Sequence, residues 1–351
     1  MSYCDQGRLF TFEDFFADGD DNHRLLLVLW ALEDDALIGK LECQRKGRRD
    51  HYPVRMLWQS LVGAKVYGIA TVNGLIRELR RKLSKPENLA MLKGIFDKAV
   101  SDLKEILPDL GESLHSWYGY TVELVADTRY EIPLNFEVLP ANVNECPRLP
   151  ILLGDTMRLQ RQFDVKYVMG DRGYDCKYNC KYVLYDLEAL PIIKMRLTQA
   201  DRNAEFSAEI CRCTELGTPI CDCGAKMVYA GRDGKYLKFR CCGQDESLGC
   251  PCSTSRYGRV LKIAVSDNER RWPGLHRESK KFKRLYKRRT SVERINSRLK
   301  EHLCLDQQHV RGLAKTKVNV GLSLLVMVGG ALATARNKKL DNLRQIVAMA
   351  A

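Results

Sequence analysis
Apolar residues recur at intervals of three and four through His23–Ile38, Pro53–Ile69, Thr71–Leu83 and Pro86–Leu107, the spacing that lines one face of a helix. Pro53 and Pro86 stand near helix starts, where a missing N–H costs nothing, and Asp109-Leu110-Gly111 closes the last of the four. The period then drops to two. Trp117–Ala126 alternates and is rich in β-formers, residues 127–131 make a short connection, and Ile132–Leu139 alternates again, which together predict a β-hairpin. A helix is expected from about Arg148 to Phe163. A short buried strand follows at Val165–Gly170, then a further helix and the strand Leu190–Met195. Hairpin, helix, strand, helix, strand predicts a mixed α/β sheet.

Between residues 200 and 255 the pattern gives way to eight paired cysteines, and a basic helical region follows. The run Val318–Ala335 is nearly long enough to cross a bilayer, but Asn319 and three glycines interrupt it and it stands alone, so it predicts a buried helix. The layout is a helical module over 1–112, an α/β core over 113–199 and 256–337, and a cysteine-rich insertion over 200–255. Basic clusters at Arg45–Arg55 and Arg77–Lys85 suit the first module to DNA, although an ordinary helical bundle fits its pattern equally.

Charge narrows the function. The 351 residues carry a formal net charge of +13. Arg256–Lys300 alone holds 16 Lys and Arg against Asp267, Glu269, Glu278 and Glu293. Such density attracts a polyanion, and the interleaved Phe282, Leu285, Tyr286, Val292, Ile295 and Leu299 argue against a merely solvated face, which favours nucleic acid. The opening MSYCDQGRLFTFEDFF has no basic region followed by an apolar one. A cytoplasmic, DNA-associated protein with no membrane partner is expected. Its 14 cysteines are then reduced thiols or metal ligands rather than a disulfide framework.

Two motifs carry the chemistry. GDRGYD, residues 170–175, puts Asp171 at the C-terminal end of a strand, where open α/β sheets present catalytic groups, or where an Asp caps a helix. In LYKRRTSVERINSRLK, Tyr286, Arg289, Glu293 and Lys300 are spaced three, four and seven apart and share one face of a single helix. A phenol, a guanidinium, a carboxylate and an ammonium on one stripe suit a phosphodiester held beside a metal. The other reading of the stripe is a simple surface pair of Arg289 and Glu293 at i,i+4.

Y-x2-R-x3-E-x6-K together with GDRGYD resembles the signature of insertion-sequence DDE transposases, a family with an RNase H-like core. TVELVADTRYEIPLNFEVLPANVNE, RGLAKTKVNVGLSLLVMV and RRDHYPVRMLWQSLVGAKVYGI are similar to that family's hairpin, terminal helix and N-terminal module, so the likeness runs from about residue 20 to 335. It implies two Mg²⁺ or Mn²⁺ ions on three carboxylates, cutting DNA at the element's terminal repeats and activating the freed 3′-hydroxyl against target DNA. It further implies a homodimer on that DNA. Asp171 and Glu293 would be metal ligands; Tyr286, Arg289 and Lys300 would contact phosphates.

The third carboxylate is missing from its expected place. The family carries it on a first core strand ahead of the hairpin, where this chain reads PDLGESLHSWYGY. Asp127 is the substitute at hand, but in the hairpin turn it belongs at the opposite end of the sheet from Asp171. An internal deletion that removed the first strand and its Asp is the expectation, leaving either a catalytically impaired transposase or a non-catalytic sequence-specific DNA binder derived from one. In the insertion, Cys221, Cys223, Cys241 and Cys250 or Cys252 are candidate zinc ligands, because GAKMVYAGRDGKYLKFRCC between them reads as a hairpin. Reduced core thiols, or a zinc-dependent interaction protein, are the other readings of that cluster.

Overall fold
The computed structural model describes residues 21–44, 53–69, 82–111, 113–119, 122–140, 143–160, 162–199, 201, 212–243, 250–255, 257–305, 312–336 and 343. Among the described residues the chain opens on the helices α1 (Asp21–Ala31), α2 (Asp35–Cys43), α3 (Val54–Val66) and α4 (Pro86–Ile106). The helix expected over His23–Ile38 is in fact two. Asp34 breaks it, and its buried carboxylate accepts from Trp58 Nε1 at 2.5 Å. The helix expected at Thr71–Leu83 falls, over 71–81, outside the described residues, as do positions 45–52 of the first basic cluster.

Five strands form the larger sheet: β1 (Ser113–Gly119), β2 (Val122–Asp127), β3 (Pro133–Val138), β4 (Tyr167–Gly170) and β5 (Leu190–Ile193). Their order is β3-β2-β1-β4-β5; β1, β2 and β3 pair antiparallel, and β4 lies parallel to both β1 and β5. This corrects two expectations. Trp117–Ala126 is not one strand but spans the end of β1 and nearly all of β2, with Gly119 paired to Val122. A strand, β1, stands between β2 and β4 and parallel to β4, where a deletion was expected to leave none. The apolar alternation of the sequence runs on past Gly119, although Gly119 pairs with Val122 and the reversal shifts which residues share a face, so alternation alone does not mark it.

Helix α5 (Leu149–Leu159) packs on β2 and β3, and α9 (Leu313–Arg336) packs on β3, α1 and α4. Every residue from Val318 to Ala335 is buried, so the apolar run is the core helix its interruptions predicted. Close approach demands small residues: a Cβ on Gly329 would stand 3.3 Å from Val28 Cγ1, and one on Gly321 3.3 Å from Phe136. Each leucine buried here, such as Leu322, Leu325 or Leu332, contributes roughly 1.5–3 kcal/mol. Helices α1 and α4 thus share one continuous apolar core with the sheet.

Between β5 and the basic helices lies a separate antiparallel sheet, β6 (Val228–Asp233), β7 (Tyr236–Arg240) and β8 (Val260–Ala264), with its own small core around Phe239 and Trp272. The chain then forms α7 (Lys280–Tyr286) and α8 (Thr290–Glu301); the five-residue α6 (Lys177–Lys181) sits after β4.

Candidate active site and cationic groove
The two aspartates of GDRGYD have different surroundings. Asp171 leaves the C-terminal end of β4 exposed to solvent. Its Oδ1 accepts the Arg172 N–H at 2.7 Å and caps the 3₁₀ turn Arg172–Tyr174. It is both a cap and an accessible carboxylate. The Asp175 side chain is fully buried, accepting from Arg196 N at 2.7 Å and Arg270 Nε at 3.0 Å, with Arg277 at 3.5 Å. Arg277 in turn donates to the Ile193 carbonyl at 2.9 Å. Asp175 therefore fastens residues 270–277 to the end of β5, beside the strand that carries Asp171.

The basic segment is not the single helix its spacing predicts. Tyr286 ends α7, a 3₁₀ turn occupies Lys287–Arg289, and Glu293 and Lys300 lie on α8. Arg289 still meets both neighbours: its guanidinium is 5.8 Å from the Tyr286 ring centre and 2.7 Å from Glu293 Oε1. Lys300 is exposed two turns further on, about 10 Å along the helix axis at ~1.5 Å per residue. Three of the four signature residues are thus gathered, and the fourth stands apart.

Asp171 lies within electrostatic reach of this group. Burial raises the Tyr286 phenol; the Arg289 and Arg172 charges pull it down and Asp171 pushes it up. The Arg289 guanidinium is held more firmly protonated by Glu293, Tyr286 and Asp171, against the cost of its burial. Arg289 therefore feels both carboxylates, and is paired directly with Glu293. A further carboxylate, Glu145, approaches from the loop after β3, its own pKa raised by burial and then by Asp171. Its Oε2 would lie 3.5 Å from a Cβ placed on Gly173. Sequence reasoning missed it, since ANVNECPRLP offers no motif spacing.

Strand β1 supplies no acid. Ser116 pairs with Gly170, so Trp117 comes level with Asp171, and the strand reads SLHSWYG. Asp127 pairs with Leu114, which pairs with Val168. That register sets Asp127 three residues back from Asp171 and two strands across, roughly 14 Å away at ~3.3 Å per residue and ~4.8 Å per strand. Its carboxylate is occupied, accepting from Tyr130 N at 2.5 Å, Arg129 N at 2.8 Å and Gly111 N at 3.3 Å. Burial still pushes it up to about 6.

Beside Asp171 opens a groove of about 930 Å³ whose lining includes Arg172, Lys194, Arg196, Lys283, Tyr286 and Lys287, with Glu215 and Glu278 as its acids. Lys194 stands 4.5 Å from the Tyr286 ring centre, and Phe282 stacks on Tyr286 at 6.1 Å. Of these cations, Arg172 follows β4, Lys194 and Arg196 follow β5, and Lys283 and Lys287 lie on and just after α7; only the last two belong to the basic run that the sequence makes obvious. Glu123, on β2 opposite Tyr118, is a buried carboxylate one position beyond the level of Asp171, with no hydrogen-bond partner on either oxygen among the described residues.

The five candidate zinc ligands converge away from this groove. The Sγ atoms of Cys221, Cys223, Cys250 and Cys252 all lie within 4.8 Å of one another, and Cys241 lies 3.6 Å from Cys223.

Compared with known proteins, residues 111–328 match the family described as the transposase DDE domain. No curated protein and no solved structure matches the chain.

Proposed function
The chain belongs to the transposase DDE-domain family, and from that premise we propose that it binds DNA along the groove beside Asp171 and is impaired in metal-dependent strand cleavage. One observation carries the reading: β1, paired in parallel with β4, brings no carboxylate to the level of Asp171. The strand order, with β1 between β2 and β4, supports taking the sheet as an RNase H-like core.

The donor set does not fit a pair of Mg²⁺ or Mn²⁺ ions. Two divalent cations close together repel and need several anionic ligands converging on them. Here Glu293 is paired with Arg289, and Asp127, tied to three backbone N–H groups, sits two strands away. What remains is a phosphate-binding surface. Arg172, Lys194, Arg196, Lys283 and Lys287 present point and fork charges to a backbone, and Tyr286 offers a flat apolar face. The ligand on this reading is the element's terminal-repeat DNA, bound by a homodimer.

The test is Mg²⁺-dependent cleavage of labelled element ends, with Asp171→Ala and Glu293→Ala as controls, beside binding of the same DNA. Binding without cutting is expected. Cleavage by the parent chain that both alanine variants abolish would overturn the impairment. One specific second reading would then apply, in which Glu145 completes the carboxylate set, because it is the acid whose pKa Asp171 raises. Loss of that cleavage in Glu145→Gln, with binding kept, would identify it.

A further inference from the structure
The thiols between β5 and α7 do not line the groove, yet they are placed for coordination. Cys221 and Cys223 flank a tight turn in which Cys221 N donates to Ala225 O at 2.9 Å and Gly224 N donates to Cys221 O at 2.8 Å. Gly224 takes a φ of +83°, a conformation that favours glycine. Cys241 follows β7, and Cys250 and Cys252 arrive on the return toward β8. The two approaches are clasped by the Cys241 N–H donating to Arg259 O at 2.9 Å. Gly258 passes so close that a Cβ there would stand 2.0 Å from the Cys241 carbonyl oxygen. The backbone is thus shaped to bring thiols from three stretches of chain to one point.

The spacing is diagnostic. A tetrahedral tetrathiolate with Zn–S bonds of ~2.3 Å has S···S edges of ~3.8 Å. Cys221 and Cys250 stand 3.8 Å apart, and Cys223 and Cys241 stand 3.6 Å apart. Cys252 also falls within 4.8 Å of Cys221, Cys223 and Cys250. Thiolate donors select zinc over the hard ions expected of a carboxylate site. A three-stranded module with so small a core gains from such a staple.

We infer that this segment binds one zinc ion through Cys221, Cys223 and Cys250, with the fourth position open to either Cys241 or Cys252. Five thiols serve four positions: Cys241 is fully buried at the end of β7, and Cys252 is exposed on the turn. Binding displaces the thiol protons and leaves a tetrathiolate with zinc at its centre. The ion would also fix a wall of the DNA groove, since Glu215 and Leu216 line that groove a few residues before Cys221. Gly217 is held there by Trp272 Nε1 at 2.8 Å.

The experiment is elemental analysis of the full chain, dialysed against zinc-free buffer, with cobalt(II) titration of the demetallated protein as a second readout. One zinc per chain and the visible spectrum of tetrahedral thiolate-bound cobalt are expected. Cys223→Ser and Cys250→Ser should lose the metal. Cys241→Ser and Cys252→Ser should each keep it, and the double variant should lose it. Loss in one of those two single variants would overturn the interchange and make that cysteine the fixed fourth ligand. A parent chain with no zinc and no tetrahedral cobalt spectrum would overturn the site, whether or not any variant folds.

Discussion
Glu123 sits on β2 with both carboxylate oxygens buried and, among the described residues, no hydrogen bond, the Arg148 guanidinium 3.8 Å away. Burial pushes its pKa up to about 7; Arg148 opposes this, and the neighbouring Glu137 and Glu145 add to it. At this carboxylate the folded chain holds more proton than the unfolded one between about pH 4.5 and 7, and the contribution of Glu123 to stability falls as pH rises through that window. His276 acts with the opposite sign. Buried against Phe239 and Tyr229, it is kept neutral down to about 4, so stability is lost as pH falls from 6.5 toward that value. Comparing Glu123→Gln with the parent isolates the carboxylate. The variant should be more stable by about 1–2 kcal/mol at pH 8, with the gain vanishing near pH 4.5. Urea denaturation across that range measures it, and a gain that does not change with pH would reject the buried charge as its source. Neither Glu123 nor Glu145 was legible in the sequence, because an acid in an alternating strand or a loop looks the same whether water or protein surrounds it.

Helix α8 owes its placement to an acid outside the signature. Glu131 closes the β2–β3 connection at a φ of +58° and is buried. It accepts from Arg294 Nε at 2.7 Å and Arg298 Nη2 at 2.9 Å. Those arginines are one turn apart, so one carboxylate fixes both the position and the rotation of the helix that carries Glu293. Glu131→Ala leaves two guanidiniums facing a buried gap. A loss of about 1–3 kcal/mol is expected, below that of a fully buried pair because Arg294 stays half in water. Hydrogen exchange should quicken along Thr290–Glu301 ahead of α9; uniform protection in the variant would count against the clamp. Most elements were readable from periodicity: α3, α4, α5, β3, β5 and the β6–β7 hairpin fall within a few residues of expectation. Two misreadings share a cause. Alternation runs unbroken through the β1–β2 turn, with Gly119 as its only local sign, and three-and-four spacing runs unbroken through the 3₁₀ turn at Lys287–Arg289. A sequence period assigns residues to one face only while the backbone runs straight: Tyr118 and Val122 alternate in step, yet Tyr118 pairs with Glu123.

For the molecule as a whole, the local charge surplus becomes a surface assembled from separate elements, with Arg172 after β4, Lys194 and Arg196 after β5, and Lys283 and Lys287 at α7. Asp175 holds this arrangement together from beneath, joining residue 196 to residues 270 and 277. Sequence spacing exposed the cations of α7 but not those of β4 and β5, which are neighbours only because parallel strands end side by side. A surface of this kind has a thermodynamic signature distinct from catalysis. Each phosphate neutralised on duplex DNA contributes ~0.9 to the slope of log affinity against log salt concentration. Replacing Lys194, Lys283 and Lys287 together by alanine should lower the magnitude of that slope by roughly 3 and weaken binding similarly on every sequence. Lys300→Ala, outside the groove, should lower it by about 1 or less. Anisotropy titrations of one labelled duplex at several salt concentrations give both slopes. If the triple variant keeps the parent slope while Lys300→Ala loses most of it, DNA runs along α8 rather than past Asp171, and the groove must be given up as the binding surface.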